Sequence, residues 1–159
     1  AVIKLYETDS GKQLQPLVGH SAKVNALCFE RSGRRLVSAS LDQTIRVWDV
    51  DVGAPLVCQR GHLNGPSRAA FVPGCDRLLS LCAGESTIKL WDAASAQEPQ
   101  TFSAGKYFVM FVDFSADGGR LFTHSQAWDT ATGRSISTLP PTTQWESNAG
   151  FDRTNRSSG

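Results

Sequence analysis

No apolar run in this chain comes near the roughly twenty residues a helix needs to cross a bilayer, so no membrane partner is expected. A secretory leader is not read either, because AVIKLYETD at the start already has the pattern of a strand and a turn. An excess of one charge is also missing. Sixteen Lys and Arg against fifteen Asp and Glu leave a net charge of +1, too little to favour nucleic acid as a partner. Paired cysteines are lacking. Cys28, Cys58, Cys75 and Cys82 lie 30, 17 and 7 residues apart, which matches no zinc pattern, so no metal or cofactor is expected. Free thiols in a reducing, cytoplasmic setting are the expectation, with a Cys75–Cys82 disulfide as the alternative. Methionine occurs once, at position 110, and not at the start, so the chain is expected to begin partway through a longer protein.

What is present is a repeat. Leu36 to Asp49 reads LVSASLDQTIRVWD, two short alternating stretches around a tight turn. Val37, Ala39 and Leu41 alternate with Ser38, Ser40 and Asp42, and a period of two rich in β-branched and aromatic residues predicts strands rather than a helix. The text returns as LLSLCAGESTIKLWD (Leu78 to Asp92) and, shortened, as LFTHSQAWD (Leu121 to Asp129). Strands are predicted from Val2 to Glu7, Gln13 to Val18, Val24 to Phe29 and Pro55 to Gln59. Further strands are predicted from Arg68 to Val72, Gln100 to Ser103, Phe108 to Phe114 and Ser135 to Leu139. Polar turns separate them at Ser10-Gly11-Lys12, Arg31 to Arg35 and Pro73 to Asp76.

The spacing of the repeat sets its scale. His20 to His62 is 42 residues, Trp48 to Trp91 is 43, and Trp91 to Trp128 is 37. The first two fall within the ~40–45 residues of a four-stranded propeller blade. With Gly19-His20 leading to Trp48-Asp49, and Gly61-His62 to Trp91-Asp92, the chain resembles the WD-repeat family over nearly its whole length. The resemblance implies an all-β fold, a β-propeller of four-stranded antiparallel blades forming an incomplete ring. The expected division is the end of a preceding blade over 1–18, blades over 19–60 and 61–103, a degenerate blade over 104–141, and the start of another over 142–159. Tyr6-Glu7 stands where later units have Trp-Asp.

The resemblance also implies a hydrogen-bonded chain within each blade. In the first complete unit the matching residues are His20, Ser38 (or Ser40), Asp42 and Trp48; in the second they are His62, Ser80 and Trp91. There Glu85 replaces the aspartate and one residue is inserted, so the carboxylate is expected to fall short of His62. The third unit has neither the histidine nor the turn acid and is expected to be the least rigid.

Other residues invite a chemical reading and favour a plainer one. His20, Ser38 and Asp42 are the residue types of a hydrolase triad, but no GxSxG elbow occurs and the serine lies inside a predicted strand. Ser86 to Lys89 spells SxxK without its companion motifs, and Gly11-Lys12 lacks the earlier glycine of a phosphate loop. His124 has no second ligand nearby in sequence. Arg31, Arg34 and Arg35 read as a solvated turn, and Asn155 to Ser157 as a glycosylation sequon in spelling only.

No convergent acid, base or metal set emerges, and no catalytic residue is expected. The resemblance implies a scaffold that binds a protein or peptide on the propeller rim. Candidate rim residues are Ser21, Lys23, Leu41, Leu63, Asn64, Gly65, Glu85, Lys106 and Tyr107. Two other expectations stand beside it: a sensor propeller attached to a signalling kinase or ATPase, and a substrate receptor of a ubiquitin ligase. Against the second, the positions two residues after each Trp-Asp pair hold Asp51, Ala94 and Ala131 rather than arginine. Further blades, from a longer chain or from self-association, are expected to complete the ring.

Overall fold

The structure, a computed structural model, describes residues 1–82, 84–95, 97, 99–104, 109, 112–123 and 126–138. The regular elements among the described residues are all strands. A two-stranded ribbon pairs β1 (Val2–Ile3) with β2 (Leu17–Val18). Three antiparallel four-stranded sheets follow, each in chain order. The first holds β3 (Val24–Phe29), β4 (Arg35–Ser40), β5 (Thr44–Asp49) and β6 (Pro55–Arg60). The second holds β7 (Arg68–Phe71), β8 (Arg77–Cys82), β9 (Thr87–Asp92) and β10 (Gln100–Ser103). The third holds β11 (Asp113–Phe114), β12 (Arg120–Phe122), β13 (Gln126–Asp129) and β14 (Ser135–Thr138). This is an arc of a β-propeller.

Alternation along β4 explains why the sheets stack. Leu36 packs with Trp48, Val50, Ile3, Leu5 and Leu17 against the ribbon. Its neighbour Val37 points the other way, joining Ala39, Ile45 and Val47 against Ala69, Leu78, Trp91 and Ala93 of the second sheet. Leu79, Leu81, Ile88 and Leu90 in turn face Leu121 and Trp128 of the third. Each inner strand therefore buries both faces, and the period of two separates two partners instead of separating core from solvent. Burying one such large apolar side chain contributes about 1.5–3 kcal/mol, and most of these are sealed completely.

Polar links span the same interfaces. Arg35 pairs with Glu30 in its own sheet and with Asp76 of the next at 2.7 Å, its guanidinium 5.4 Å above the Phe71 ring. Of the three arginines read as one solvated turn, Arg35 is thus a clamp between sheets, while Arg31 and Arg34 are exposed. Gln59 Nε2 donates to the carbonyls of Asp92 and Ser95, and Arg77 Nη1 donates to the Thr130 carbonyl. At one end of the stack the turn before β7 rests on the turn after β4. A Cβ on Gly65 would lie 2.6 Å from the Leu41 Cα, so only glycine lets those two turns touch.

The predicted first strands are shorter than read. Register puts Ile3 opposite Leu17, and hence Pro16 opposite Lys4. Proline has no N–H to continue the ladder, which resumes only as a bridge between Tyr6 and Gln13. Tyr6 does lead into a turn as the tryptophans do, yet its ring is exposed, because it faces away from the first sheet. Of the predicted strand from Phe108 to Phe114, Asp113–Phe114 is observed; residues 108, 110 and 111 lie outside the described residues, as do His124 and 139–159.

Candidate functional site: paired histidine networks beneath a rim

The first sheet holds a continuous hydrogen-bonded chain. The Trp48 indole Nε1–H donates to Ser38 Oγ at 2.8 Å. Ser38 Oγ lies 2.6 Å from His20 Nε2, and His20 Nδ1 lies 2.8 Å from Asp42 Oδ2. Asp42 also accepts from the Ser21 N–H at 3.0 Å, the Thr44 N–H at 3.0 Å and the Thr44 hydroxyl at 2.5 Å. Ser38 and Trp48 are fully buried and His20 nearly so. Of the two serines weighed for the chain, Ser38 is the member. Ser40 instead donates to the carbonyls of Ala22 and Lys23 and accepts from the Asp42 N–H.

Electrostatics fix the protonation pattern. Burial pushes the His20 imidazole below its ordinary pKa, and the Asp42 bond only partly offsets that. Burial alone would raise the Asp42 carboxyl, but the donors from Thr44, His20 and Ser21 outweigh it and hold the group well below the usual carboxylate range. A neutral imidazole therefore donates from Nδ1 to an ionised aspartate, while Nε2 accepts from the serine hydroxyl. The order Ser–His–Asp is that of a hydrolase, yet Ser38 has no exposed surface for a substrate carbonyl to approach.

The second sheet repeats the chain. Trp91 Nε1–H donates to Ser80 Oγ at 2.7 Å, and Ser80 Oγ is 2.7 Å from His62 Nε2. Glu85 does reach His62: Oε2 lies 3.2 Å from Nδ1, contrary to the reading that it would fall short. The inserted residue precedes the acid, so Glu85 keeps the position two residues ahead of a strand threonine that Asp42 has relative to Thr44. Thr87 Oγ1 donates to Glu85 Oε2 at 3.2 Å, and the Asn64 N–H donates to Oε1 at 2.7 Å. Burial would raise the Glu85 carboxyl; the Asn64 and His62 bonds bring it below the ordinary value. A Cβ on Gly61 would come within 3.0 Å of the Trp91 ring, which explains the glycine ahead of the histidine.

The aspartate that follows each tryptophan has a role the sequence reading did not assign. Asp49 Oδ1 accepts from the Asp51 and Val52 N–H groups, Asp92 from Ala94 and Ser95, and Asp129 from Ala131 and Thr132. Each closes the turn into the outermost strand as an Asx turn. Its recurrence before a polar turn was the available signal.

Comparison with known proteins agrees with this geometry. The family model for the WD domain, G-beta repeat, matches residues 11–49. WD repeat and SOCS box-containing protein 1 of Xenopus tropicalis is 41% identical over 92 residues, 57% of this chain and 22% of that protein. The WD repeat-containing protein VIP3 of Arabidopsis thaliana is 31% identical over 133 residues, 75% of this chain and 41% of that protein. Protein Notchless of Drosophila melanogaster is 32% identical over 115 residues, 69% and 23% of the two chains. This is a WD-repeat chain. It spans between about a fifth and two fifths of the length of these relatives.

In this WD-repeat chain the predicted rim residues divide into two groups. Leu41 and Leu63 are 52% and 80% exposed, and Ser21, Lys23 and Asn64 are exposed beside them. Gly65 holds the two turns together. Glu85 is turned inward, its carboxylate engaged by His62, Thr87 and the Asn64 N–H. Lys106 and Tyr107 lie outside the described residues.

Two measurements probe the networks. Ser38→Ala leaves the Trp48 indole N–H and the His20 ring without their shared partner, and is expected to lower unfolding free energy by about 2–3 kcal/mol in urea titrations. Acidification is expected to destabilise the chain. The unfolded imidazole takes a proton near pH 6.5 that folded His20 refuses, so stability is full above that pH and falls below it, by at most about 1.4 kcal/mol per pH unit per imidazole. Asp42, depressed in the fold, adds a further loss below about pH 4. A melting temperature unchanged between pH 7 and 5 would mean that the imidazoles ionise freely in the fold.

Proposed function

We propose that the chain is part of a non-catalytic scaffold that binds a protein or peptide across the rim turns bearing Leu41 and Leu63. The observation that carries the reading is that both leucines are exposed on turns that meet where Gly65 packs on Leu41. Both stand out from turns whose backbones are held from beneath, Leu41 by its N–H to the Lys23 carbonyl and Asn64 by its N–H to Glu85. Pre-set apolar anchors lose little entropy on binding, which is what an interface centre requires. The exposed polar groups of Ser21, Lys23 and Asn64 would supply its margin. A reducing, cytoplasmic location goes with this reading.

A second reading is a substrate receptor of a ubiquitin ligase. It is favoured by the names of the relatives matched at 40–41% identity, which carry a SOCS box beside their WD repeats.

The uncovered apolar face at the ribbon end supports a larger ring. Leu27 and Phe29 on β3 are about half exposed, beside Val2 of the unpaired ribbon edge. Inner strands of a further blade, from a longer chain or a second copy, would cover them.

In affinity capture from source cells, a Leu41→Asp/Leu63→Asp double variant is expected to lose at least tenfold of a partner that the parent chain retains, with an unchanged melting temperature. Leu56→Asp, on the outer strand β6, is expected to keep it. Equal capture by all three would sink rim docking. Light scattering on the isolated chain is expected to show self-association; a cooperatively unfolding monomer at 17.2 kDa would refute the open-ring reading.

A further inference from the structure

The two histidine networks differ in a way that changes their chemistry. Where the first sheet has Ser40 and Asp42, the second has Cys82 and Glu85. Ser40 is fully engaged by backbone groups. The larger sulfur of Cys82 stands 3.9 Å from the Gly65 carbonyl, and its thiol is turned to the Glu85 carboxylate beside the imidazole. The result is a nitrogen, a sulfur and an oxygen donor, from His62, Cys82 and Glu85, with all three ligand atoms within 4.8 Å of one another.

We propose that His62 Nδ1, Cys82 Sγ and Glu85 Oε2 form a zinc-binding site, with water as the fourth ligand on the rim side. These are donor types that zinc accepts at about 2.0–2.3 Å in a tetrahedron. For such a tetrahedron the nitrogen and oxygen should stand about 3.3 Å apart and the nitrogen and sulfur about 3.6 Å. The first pair is already at 3.2 Å, and with all three atoms within 4.8 Å of one another the sulfur has at most a little over an ångström to close.

Charge supports the assignment. A divalent cation with one thiolate, one carboxylate and a neutral imidazole sums to zero, the form that a buried site tolerates. His62 and Cys82 are almost fully buried, and the Glu85 side chain is 9% exposed. The supporting hydrogen bonds are in place. Ser80 lies against His62 Nε2, Asn64 N–H holds Glu85 Oε1, and Thr87 Oγ1 steadies Oε2 where it faces His62 Nδ1. On binding, the Nδ1 lone pair goes to zinc, the imidazole proton moves to Nε2 and is donated to Ser80 Oγ, and the Cys82 proton leaves to solvent. Ser80 Oγ then accepts from both Nε2–H and Trp91 Nε1–H, its own hydroxyl proton turning away from the imidazole, so the anchor of the blade is kept. Zinc would tie the loop before β7, the end of β8 and the β8–β9 turn beneath Leu63.

Cobalt titration of the reduced, metal-free chain tests this. One equivalent of Co2+ is expected to bind with a thiolate-to-cobalt charge-transfer band and the visible spectrum of a tetrahedral ion. Zn2+ is expected to displace it with release of about one proton and to raise the melting temperature. Cys82→Ser, which installs the residue that the first sheet carries, is expected to abolish the band while keeping the fold. Glu85→Gln, which keeps the side-chain size, is expected to weaken Co2+ binding at least tenfold and reads the same site if the serine variant unfolds. A Cys58→Ser/Cys75→Ser double variant, lacking two exposed thiols, is expected to bind as the parent does. Absence of the band in the parent chain, its survival in Cys82→Ser, or its loss with Cys58 and Cys75 would each overturn the proposal.

Discussion

An indole N–H buried between two sheets must have a partner, and much of the fold follows from how that need is met. A lost partner in such an interface costs about 1–3 kcal/mol, a large share of a domain's net stability. Trp48 and Trp91 cannot turn to water, so a serine on the adjacent strand accepts their protons. That serine needs a donor direction of its own, the histidine supplies an acceptor, and the carboxylate holds the histidine. The chain of needs ends at the carboxylate because only there does the network meet the backbone N–H groups of the rim. One buried polar atom thus dictates three further residue types on three segments, and it also fixes the shape of the rim loops above.

Repetition then makes the sheets interchangeable in outline and distinct in detail. Asp42 and Glu85 perform the same orientation of a neutral imidazole from turns of different length, because each stands two residues ahead of a strand threonine. What differs is the residue at the end of the second strand. Serine there is absorbed by the backbone, whereas cysteine places a sulfur beside the Glu85 carboxylate and the histidine. A polar network built for stability becomes a donor set through one oxygen-to-sulfur exchange and one longer carboxylate.

The parts legible in the sequence were those set by local pattern. Val24–Phe29 and Gln100–Ser103 lie where the local pattern put them, and burial alternates along Val24–Phe29 as its sequence does. The links from Trp48 to His20 are those that the family resemblance implied. Illegible were features that depend on two segments at once. Pro16 shortens β1 only because register places it opposite Lys4. The reach of Glu85 depends on where the inserted residue falls in the turn. Arg35 looked like one of three solvated arginines until the neighbouring sheet supplied Asp76 and Phe71. The grouping of Cys82 with His62 and Glu85 has no spacing signature, because the three come from a loop, a strand end and a turn.

The stack also has a direction, and that constrains what can lie beyond it. Trp48, Trp91 and Trp128 each pack on the interface toward the preceding element, while the aliphatic residues Val37 and Val47, or Leu79 and Leu90, face the following one. The contact is therefore head to tail, with unlike faces meeting at every step, the kind that propagates until its rotation closes a ring. The surface left uncovered at the ribbon, with Tyr6, Leu27 and Phe29, is of the tryptophan-side kind. At each step already present, a surface of that kind meets an aliphatic face like that of β4 and β5, so a sheet stacked there in the same way would share the orientation of the others.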